Sequence, residues 1–196
     1  MGASESITIA QGLLQIRRGE FSNASQLAGK LWLRAPAVLA SKDSDPGNYQ
    51  SLIQEFRSGG LVEAMLYMIN ARKRGELSIY DKNDPKAALY YMLITIGFLT
   101  MIFEQEFVLE FVDENGIKAA LGELSDQVFL NAIRSNQEND PAVGLMVQFL
   151  CLLLIIGEFD KRSSIMKEQM KESNYVGVLV KYTKMEGRYI FTLIRI

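Results

Sequence analysis

The sequence predicts an all-α fold built from repeated groups of helices, and three features of the chain support this prediction. Residues 89–103 and 142–156 are stretches without charge, each long enough for a buried helix. Each stretch follows the same lead-in, Asn83-Asp84-Pro85 in the first copy and Asn139-Asp140-Pro141 in the second. Fifty-six residues separate the two prolines. A lead-in that recurs before similar apolar stretches indicates structural repeats.

Residues 7–40 predict two helices. The first ends at Arg17 and Gly19, because a cation in the last turn and a glycine just beyond it are typical helix stops. Pro36 must bend or end the second helix, since proline has no backbone N–H and clashes with the preceding turn. Residues 41–47 then predict a polar loop.

Residues 50–74 give the clearest helical periodicity. Ser58-Gly59-Gly60 divides a short helix from a longer one. Apolar residues of the longer helix recur at i, i+3, i+4, i+7 and i+8, namely Leu61, Ala64, Met65, Met68 and Ile69. Basic residues occupy the last turn of this helix up to Arg74, and Gly75 stands at the position where a left-handed cap is favoured.

Two Asp-Pro pairs mark the starts of the helices that contain the uncharged stretches. Asp84 and Asp140 offer side-chain oxygens to the unpaired N–H groups of a first turn, and the prolines that follow have no N–H to lose. After the first uncharged stretch, residues 107–112 are amphipathic, and a turn at Asn115-Gly116 leads into a short helix. One further helix is expected between the two copies, within residues 125–138.

This order of elements divides the chain into three parts. Residues 1–47 are an N-terminal tail with capping helices, residues 48–186 are the repeats, and residues 187–196 are an apolar C-terminal tail. The tail has no polar cap, although the terminal repeats of a helical array need one for solubility. We expect it to dock on a partner, on a second copy or on a membrane, or to fold back onto the last repeat.

The uncharged stretches also allow a different interpretation, because residues 87–103 and 142–157 come close to the length of a membrane span. A span needs about 20 apolar residues, and both stretches are slightly shorter. Acidic residues follow each of them, without a belt of aromatic and basic residues on both sides. Burial of each stretch on all sides by neighbouring helices is therefore favoured. The alternative is a small integral membrane protein with two transmembrane helices.

Composition narrows the classes of function. With 21 basic and 23 acidic residues the formal charge is −2, so overall charge does not favour nucleic acid as a partner. The chain has no histidine, which excludes triad hydrolases and histidine-containing zinc sites. The carboxylates of Glu104, Glu106 and Glu110 scatter around a helix and do not form a metal site. We therefore predict a protein that is not an enzyme, without cofactor, metal or small-molecule substrate.

The single cysteine, Cys151, gives information about the cellular compartment of the protein and does not indicate catalysis. One cysteine forms no internal disulfide, which fits the reducing cytoplasm. Its apolar surroundings in the sequence are expected to raise the pKa of the thiol and to leave it unreactive.

Three segments share a turn that leads directly into an apolar helix. They are residues 58–65, residues 113–121 and, more weakly, residues 173–180. These segments resemble the start of the third helix of an armadillo repeat, where a glycine lets the chain turn sharply. Gly60 and Gly116 are again 56 residues apart.

The resemblance to the armadillo and HEAT-like group covers about residues 50 to 185. It implies a right-handed α-solenoid of about three to four irregular armadillo-like units. The spacing of 56 residues exceeds the roughly 40 to 47 residues usual for such repeats, so segments 75–83 and 125–139 must hold insertions.

A solenoid of this kind implies a scaffold or adaptor that binds a protein or an extended peptide in a larger assembly. Candidate partner-binding residues lie on the polar faces of the three third helices: Glu63, Tyr67, Asn70, Arg74, Lys118 and Lys181. A helix face that is merely solvated has the same composition, so both interpretations stay open. The asparagine ladder of peptide-carrying armadillo proteins is not visible beyond Asn70, which speaks against cargo binding of the nuclear-import type.

The N-terminus fits the N-myristoylation pattern. Gly2 follows Met1, and Ser6 stands four residues after Gly2. Acylation at Gly2 would make the protein a membrane-associated lipoprotein, although a single myristoyl chain needs a second signal for stable anchoring. Arg17 and Arg18 could contribute to that signal. The other interpretation is an ordinary frayed terminus.

Overall fold

A computed structural model of the chain describes residues 7–135, 140–157 and 163–183. Within these ranges the chain forms eleven α-helices and no strand, which confirms the all-α prediction. The chain divides into two compact units, Met1–Phe103 and Glu104–Ile196, called unit 1 and unit 2 here.

Unit 1 is built around its first helix. Its helices are α1 (Ile9–Arg17), α2 (Ala24–Ala40), α3 (Pro46–Gly59), α4 (Leu61–Lys73) and α5 (Pro85–Phe103). α1 packs against α2, α3 and α4, and α5 packs against α2 and α4. Leu13, Leu31, Phe56 and Leu93, from four of these helices, are fully buried and form part of the core.

Unit 2 is built around a short helix that contacts every other helix described in it. Its helices are α6 (Gln105–Asp113), α7 (Gly116–Leu124), α8 (Gln127–Ser135), α9 (Pro141–Gly157), α10 (Ser163–Glu172) and α11 (Tyr175–Thr183). α7 packs against all five of the others, α8 also packs against α9, and α10 also packs against α6 and α11. The helix expected between the two copies is therefore present as α8.

One short helix in each unit contacts a group of three others. In unit 1, α1 contacts the three helices that follow it, α2, α3 and α4. In unit 2, α7 contacts the group α9, α10 and α11, and it also contacts α6 and α8.

A left-handed residue precedes the last helix of each of these groups, and another precedes α7. Gly60 has φ +72° before α4, Asn115 has φ +63° before α7, and Asn174 has φ +50° before α11. At the second of these turns Asn115, rather than Gly116, takes the left-handed conformation. Gly116 is needed for a different reason, because a Cβ atom there would lie 2.3 Å from Cδ1 of Phe111.

One element boundary in unit 1 differs from the sequence prediction. α3 begins at Pro46, inside the expected polar loop of residues 41–47, because Asp45 Oδ1 accepts a hydrogen bond of 3.2 Å from the Asn48 N–H. α2 continues past Pro36 to Ala40, the end of the predicted helical range of residues 7–40.

The two uncharged stretches form helices that pack against other helices. α5 is the one helix in the described ranges that is long and apolar enough to cross a membrane, and half of its most apolar stretch is buried within the protein. Pro141–Ile156 is shorter. α5 contacts α2 and α4, and α9 contacts α7 and α8. Burial is not complete on all sides, since Ile102 and Leu154 are exposed.

Candidate functional site

The polar face of α4 carries four of the predicted partner-binding residues, and the structure shows what surrounds them. Glu63 and Tyr67 are half-buried, whereas Asn70 and Arg74 are exposed. Glu63 and Tyr67 face the end of α1, because α1 packs against α4. Residues outside α4 therefore contact these side chains and fix their positions.

Tyr67 stacks against an aromatic residue of the α1–α2 connection. The rings of Phe21 and Tyr67 are 6.1 Å apart between centroids and tilted by 50°, a geometry that aromatic pairs favour. Gly19 lets the chain pass over the Tyr67 hydroxyl, since a Cβ at residue 19 would lie 2.6 Å from that oxygen. Gly19 also has φ +77°, a left-handed conformation that favours glycine. The ring of Tyr67 is thus held in place from two sides.

A cation lies over each ring of this pair. Arg74 Cζ is 5.4 Å from the centroid of Tyr67, and Lys86 Nζ is 4.9 Å from the centroid of Phe21. Both distances are within the range of cation–π attraction. Lys86, Phe21, Tyr67 and Arg74, together with Glu76, are called the Tyr67 cluster below.

Glu76 joins the two cations of the cluster. Arg74 donates to it through two nitrogens, and the bond from Nη2 to Glu76 Oε2 measures 3.2 Å. Lys86 Nζ donates to the main-chain carbonyl of Glu76 at 3.4 Å. The hydrogen bond from Arg74 lowers the pKa of the Glu76 carboxyl, and the same bond raises the pKa of the Arg74 guanidinium. Both groups stay charged at neutral pH.

Glu63 is paired with a cation of α1. Arg17 Nη2 lies 2.9 Å from Glu63 Oε1, and both side chains are about one-third exposed. Gly60 leaves room for this pair, because a Cβ there would lie 2.5 Å from Glu63 Oε2. The ion pair therefore joins α1 to the first turn of α4.

The two remaining predicted residues lie in unit 2. Lys118, on α7, forms an ion pair of 3.2 Å with Glu172 of α10, and both side chains are more than half exposed. Lys181 is exposed near the end of α11. The structure therefore brings Glu63, Tyr67 and Arg74 together with residues of α1 and α5, whereas the two lysines belong to other surroundings.

Sequence reasoning missed four residues of this surface: Arg17 as a partner of Glu63, and Phe21, Glu76 and Lys86. One of them carried a signal. Lys86 stands in the first turn of α5, where the helix dipole disfavours a cation. Its contacts with the Phe21 ring and the Glu76 carbonyl explain why it is there.

The described residues offer little for metal or thiol chemistry, and their one thiol is Cys151. Among the described residues no group of three or more histidine, cysteine, aspartate or glutamate side chains could hold a metal ion. Burial raises the pKa of the Cys151 thiol, as the apolar sequence around it predicted. Gly2 and the tail of residues 187–196 lie outside the described residues.

Comparison of the chain with protein-family models, with curated proteins and with solved structures gave no match. Function is therefore inferred from the geometry of the chain itself.

Proposed function

We propose that the protein is a non-enzymatic scaffold or adaptor of the cytoplasm, which binds a protein or peptide partner through a helical-repeat surface. The observation that carries this proposal is the packing of helices on one short helix in each unit, since α1 contacts α2–α4 and α7 contacts α6 and α8–α11. Proteins built from stacked helical groups use extended surfaces for binding and need no active site.

An irregular armadillo-like solenoid belongs to the same proposal. Its armadillo-like repeats would end in chain order at α4, α7 and α11, each of which directly follows a left-handed residue. The equal roles of Gly60, Asn115 and Asn174 support this division, since each turns the chain sharply into the helix that follows it. α8 then accounts for part of the additional length between repeats.

The Tyr67 cluster is the proposed contact surface. Tyrosine and arginine are the residue types that most often dominate binding energy at interfaces. Tyr67 and Arg74 are already ordered by Phe21 and Glu76, so binding would fix few additional rotamers. Arg17, Arg74 and Lys86 are three cations against the two acids Glu63 and Glu76, which favours a partner segment that carries carboxylates.

The helix packing also favours this proposal over an integral membrane protein with two spans. α5 contacts α2 and α4 along the face that includes Leu89, Leu93 and Gly97, as a core helix does. A Cβ at Gly97 would lie 1.9 Å from Met65 Sδ, so α5 and α4 are in close contact there. Purification without detergent supports the adaptor, whereas a strict need for detergent supports the spans.

Membrane association through Gly2 and an interface at residues 187–196 complete the proposal. The intact mass of protein made in eukaryotic cells, compared with a Gly2→Ala variant, tests the acylation.

Deletion of residues 187–196 followed by affinity capture tests the tail. A capture that is unchanged by the deletion removes the tail from the interface.

Affinity capture with variants of Tyr67 tests the binding surface. We expect Tyr67→Ala to lose a partner that the wild-type protein retains, and Tyr67→Phe to keep it, because the ring remains. Tyr80→Ala is the matched control, since Tyr80 is a tyrosine of unit 1 that is 47% exposed and stands in the connection after α4. Equal capture by all three variants would contradict a role for the Tyr67 cluster.

A further inference from the structure

The outward face of α2 is exposed and yet carries no charge. Trp32 is 64% exposed and Leu33 is 79% exposed. The other residues of this face are small or apolar, and with Trp32 and Leu33 they define the α2 outer face: Gly29, Pro36, Ala37 and Ala40. Nothing lies within 4 Å of the position that a Cβ of Gly29 would take, so the face is open there.

The inner face of the same helix is apolar as well. Leu27, Leu31 and Ala35 are fully buried in the core of unit 1. A helix of a soluble protein normally turns a polar face to solvent. Adjacent exposed tryptophan and leucine side chains on the outward side therefore indicate a contact surface.

The charges that α2 itself carries are positive. α2 contains Lys30 and Arg34 and no acidic residue, although acidic residues outnumber basic ones in the whole chain. Both cations stand within one turn of Leu33. Arg34 pairs with Glu55 of α3, and Glu55 Oε2 also accepts a bond of 3.1 Å from the Ile9 N–H. Lys30, Arg34 and Glu55 leave this edge with one net positive charge.

The N-terminal end of the described chain lies at the same edge. Lys30 Nζ donates to the main-chain carbonyl of Ile7, the first described residue. An open cleft of about 400 Å³ at this point is lined by Ile9 and Leu33, among other residues. Gly2 precedes Ile7 by five residues, which span at most about 17 Å when extended. The attachment point of an acyl group on Gly2 is therefore no more than about 17 Å from Ile7.

We propose that the α2 outer face contacts a lipid surface, with Trp32 and Leu33 inserted at the headgroup boundary of an anionic membrane and Lys30 facing lipid phosphates. Tryptophan favours this boundary because it joins a large apolar body to a polar N–H. The anionic cytoplasmic leaflet attracts cations at the rim. The inference rests on the proposed tether at Gly2 and deepens it, since this face supplies the second signal that one myristoyl chain lacks.

The chain contains one tryptophan, so its fluorescence reports on Trp32 alone. The experiment adds vesicles of phosphatidylcholine, with or without phosphatidylserine, to full-length protein that carries Gly2→Ala. We expect the emission of Trp32 to shift to shorter wavelength, at lower lipid concentration when phosphatidylserine is present, and to be quenched by brominated acyl chains. Leu33→Gln should weaken partitioning by about tenfold or more.

Leu154→Gln is the matched control, because Leu154 is an apolar residue of α9 that is 60% exposed. It should partition like the parent protein. Leu33 is so exposed that its replacement should leave the circular dichroism spectrum unchanged. Emission of Trp32 that does not respond to any vesicle would overturn the proposal. So would a blue shift that depends on protein concentration without lipid and on Leu33, because the face would then bind a second copy.

Acylation is tested separately from the face. Wild-type protein made in eukaryotic cells should bind the same vesicles more tightly than Gly2→Ala if its mass includes a myristoyl group. A mass without that group refutes the tether at Gly2, while the vesicle response of the Gly2→Ala protein still decides the role of Trp32 and Leu33.

Discussion

The side-chain amide of Gln169 donates a hydrogen bond of 2.6 Å to the main-chain carbonyl of Val112. Gln169 belongs to α10 and is 5% exposed, and Val112 lies in the last turn of α6. The last carbonyls of a helix have no partner within the helix. The Val112 carbonyl also accepts a bond of 3.2 Å from the Asn115 N–H, so the Gln169 amide is its second donor and joins two helices that are far apart in the sequence.

Replacement of Gln169 by alanine should destabilise unit 2 by about 1–2 kcal/mol, because one buried hydrogen bond and the packing of a buried side chain are lost, while the Val112 carbonyl keeps the Asn115 N–H as a donor. Urea unfolding followed by circular dichroism measures this change. Lys118→Ala is the control, since its ion pair with Glu172 is more than half exposed and should contribute less than about 1 kcal/mol. Equal effects of the two replacements would contradict a structural role for the Gln169 hydrogen bond.

Local signals predicted most helix boundaries. Asp84-Pro85 and Asp140-Pro141 begin α5 and α9, and the Asp84 and Asp140 carboxylates accept bonds of 2.9 and 2.8 Å from the first turns. The same pair at Asp45-Pro46 begins α3, and there the surrounding polar residues were interpreted as a loop. The Asp-Pro pair predicted the helix start better than the polar composition of the segment did, because an N-cap hydrogen bond joins residues that are less than four positions apart.

The candidate surface could be predicted only in part, because its contacts join residues that are distant in the chain. The spacing along α4 placed Glu63, Tyr67 and Arg74 on one face, and they do share it. No periodicity relates Phe21 to Tyr67, which are 46 residues apart. The apolar pattern of α2 also does not distinguish Trp32 and Leu33 from the residues that are buried. Packing against α1, α3 and α5 buries Leu27, Leu31 and Ala35 and leaves these two residues outside.

Two glycines of unit 1 should respond to alanine in opposite directions. A Cβ at Gly59 would lie 2.9 Å from the backbone Cα of Ala10, so α1 and α3 must move apart to accept it. We expect Gly59→Ala to destabilise by about 1–3 kcal/mol. Gly29, within α2, has no atom within 4 Å of a Cβ, and Gly29→Ala should stabilise by about 0.5–1 kcal/mol.

Thermal unfolding of the Gly59→Ala and Gly29→Ala proteins measures both changes. A Gly59→Ala protein as stable as the wild type would show that α1 and α3 do not approach as closely as described.

The left-handed turn before α7 should tolerate glycine and reject a branched side chain. Asn115 has φ +63°, a conformation that asparagine and glycine adopt readily and that costs a branched residue about 1–2 kcal/mol. Asn115→Gly should therefore leave stability nearly unchanged, and Asn115→Val should lower the free energy of unfolding by about that amount.

Asn131→Val is the control for Asn115→Val, because Asn131 is exposed within helix α8. It should change stability by no more than about 0.5 kcal/mol. If Asn131→Val and Asn115→Val cost the same in urea unfolding, the left-handed conformation of Asn115 is not what valine disturbs.

The pKa of Glu76 should depend on Arg74. The hydrogen bond from Arg74 is the largest cause that lowers the pKa of Glu76 in the folded protein, and the attraction of Arg74 and Lys86 adds to it. A carboxyl with a lowered folded pKa contributes stability above its unfolded pKa and loses that contribution as the pH falls through the folded pKa. The Arg74–Glu76 pair should therefore persist at neutral pH and break only in acid.

Titration of the Glu76 carboxyl carbon by NMR measures the dependence on Arg74. In Arg74→Gln we expect the midpoint to rise towards the ordinary value of a glutamate. Lys118→Gln, which removes a lysine of unit 2, should leave the midpoint where it is in the wild type. A midpoint that is the same in Arg74→Gln and in the wild-type protein would show that Arg74 does not hold Glu76. The cation over Tyr67 would then lack the carboxylate that orders it, and the Tyr67 cluster would not be prepared for a partner before binding.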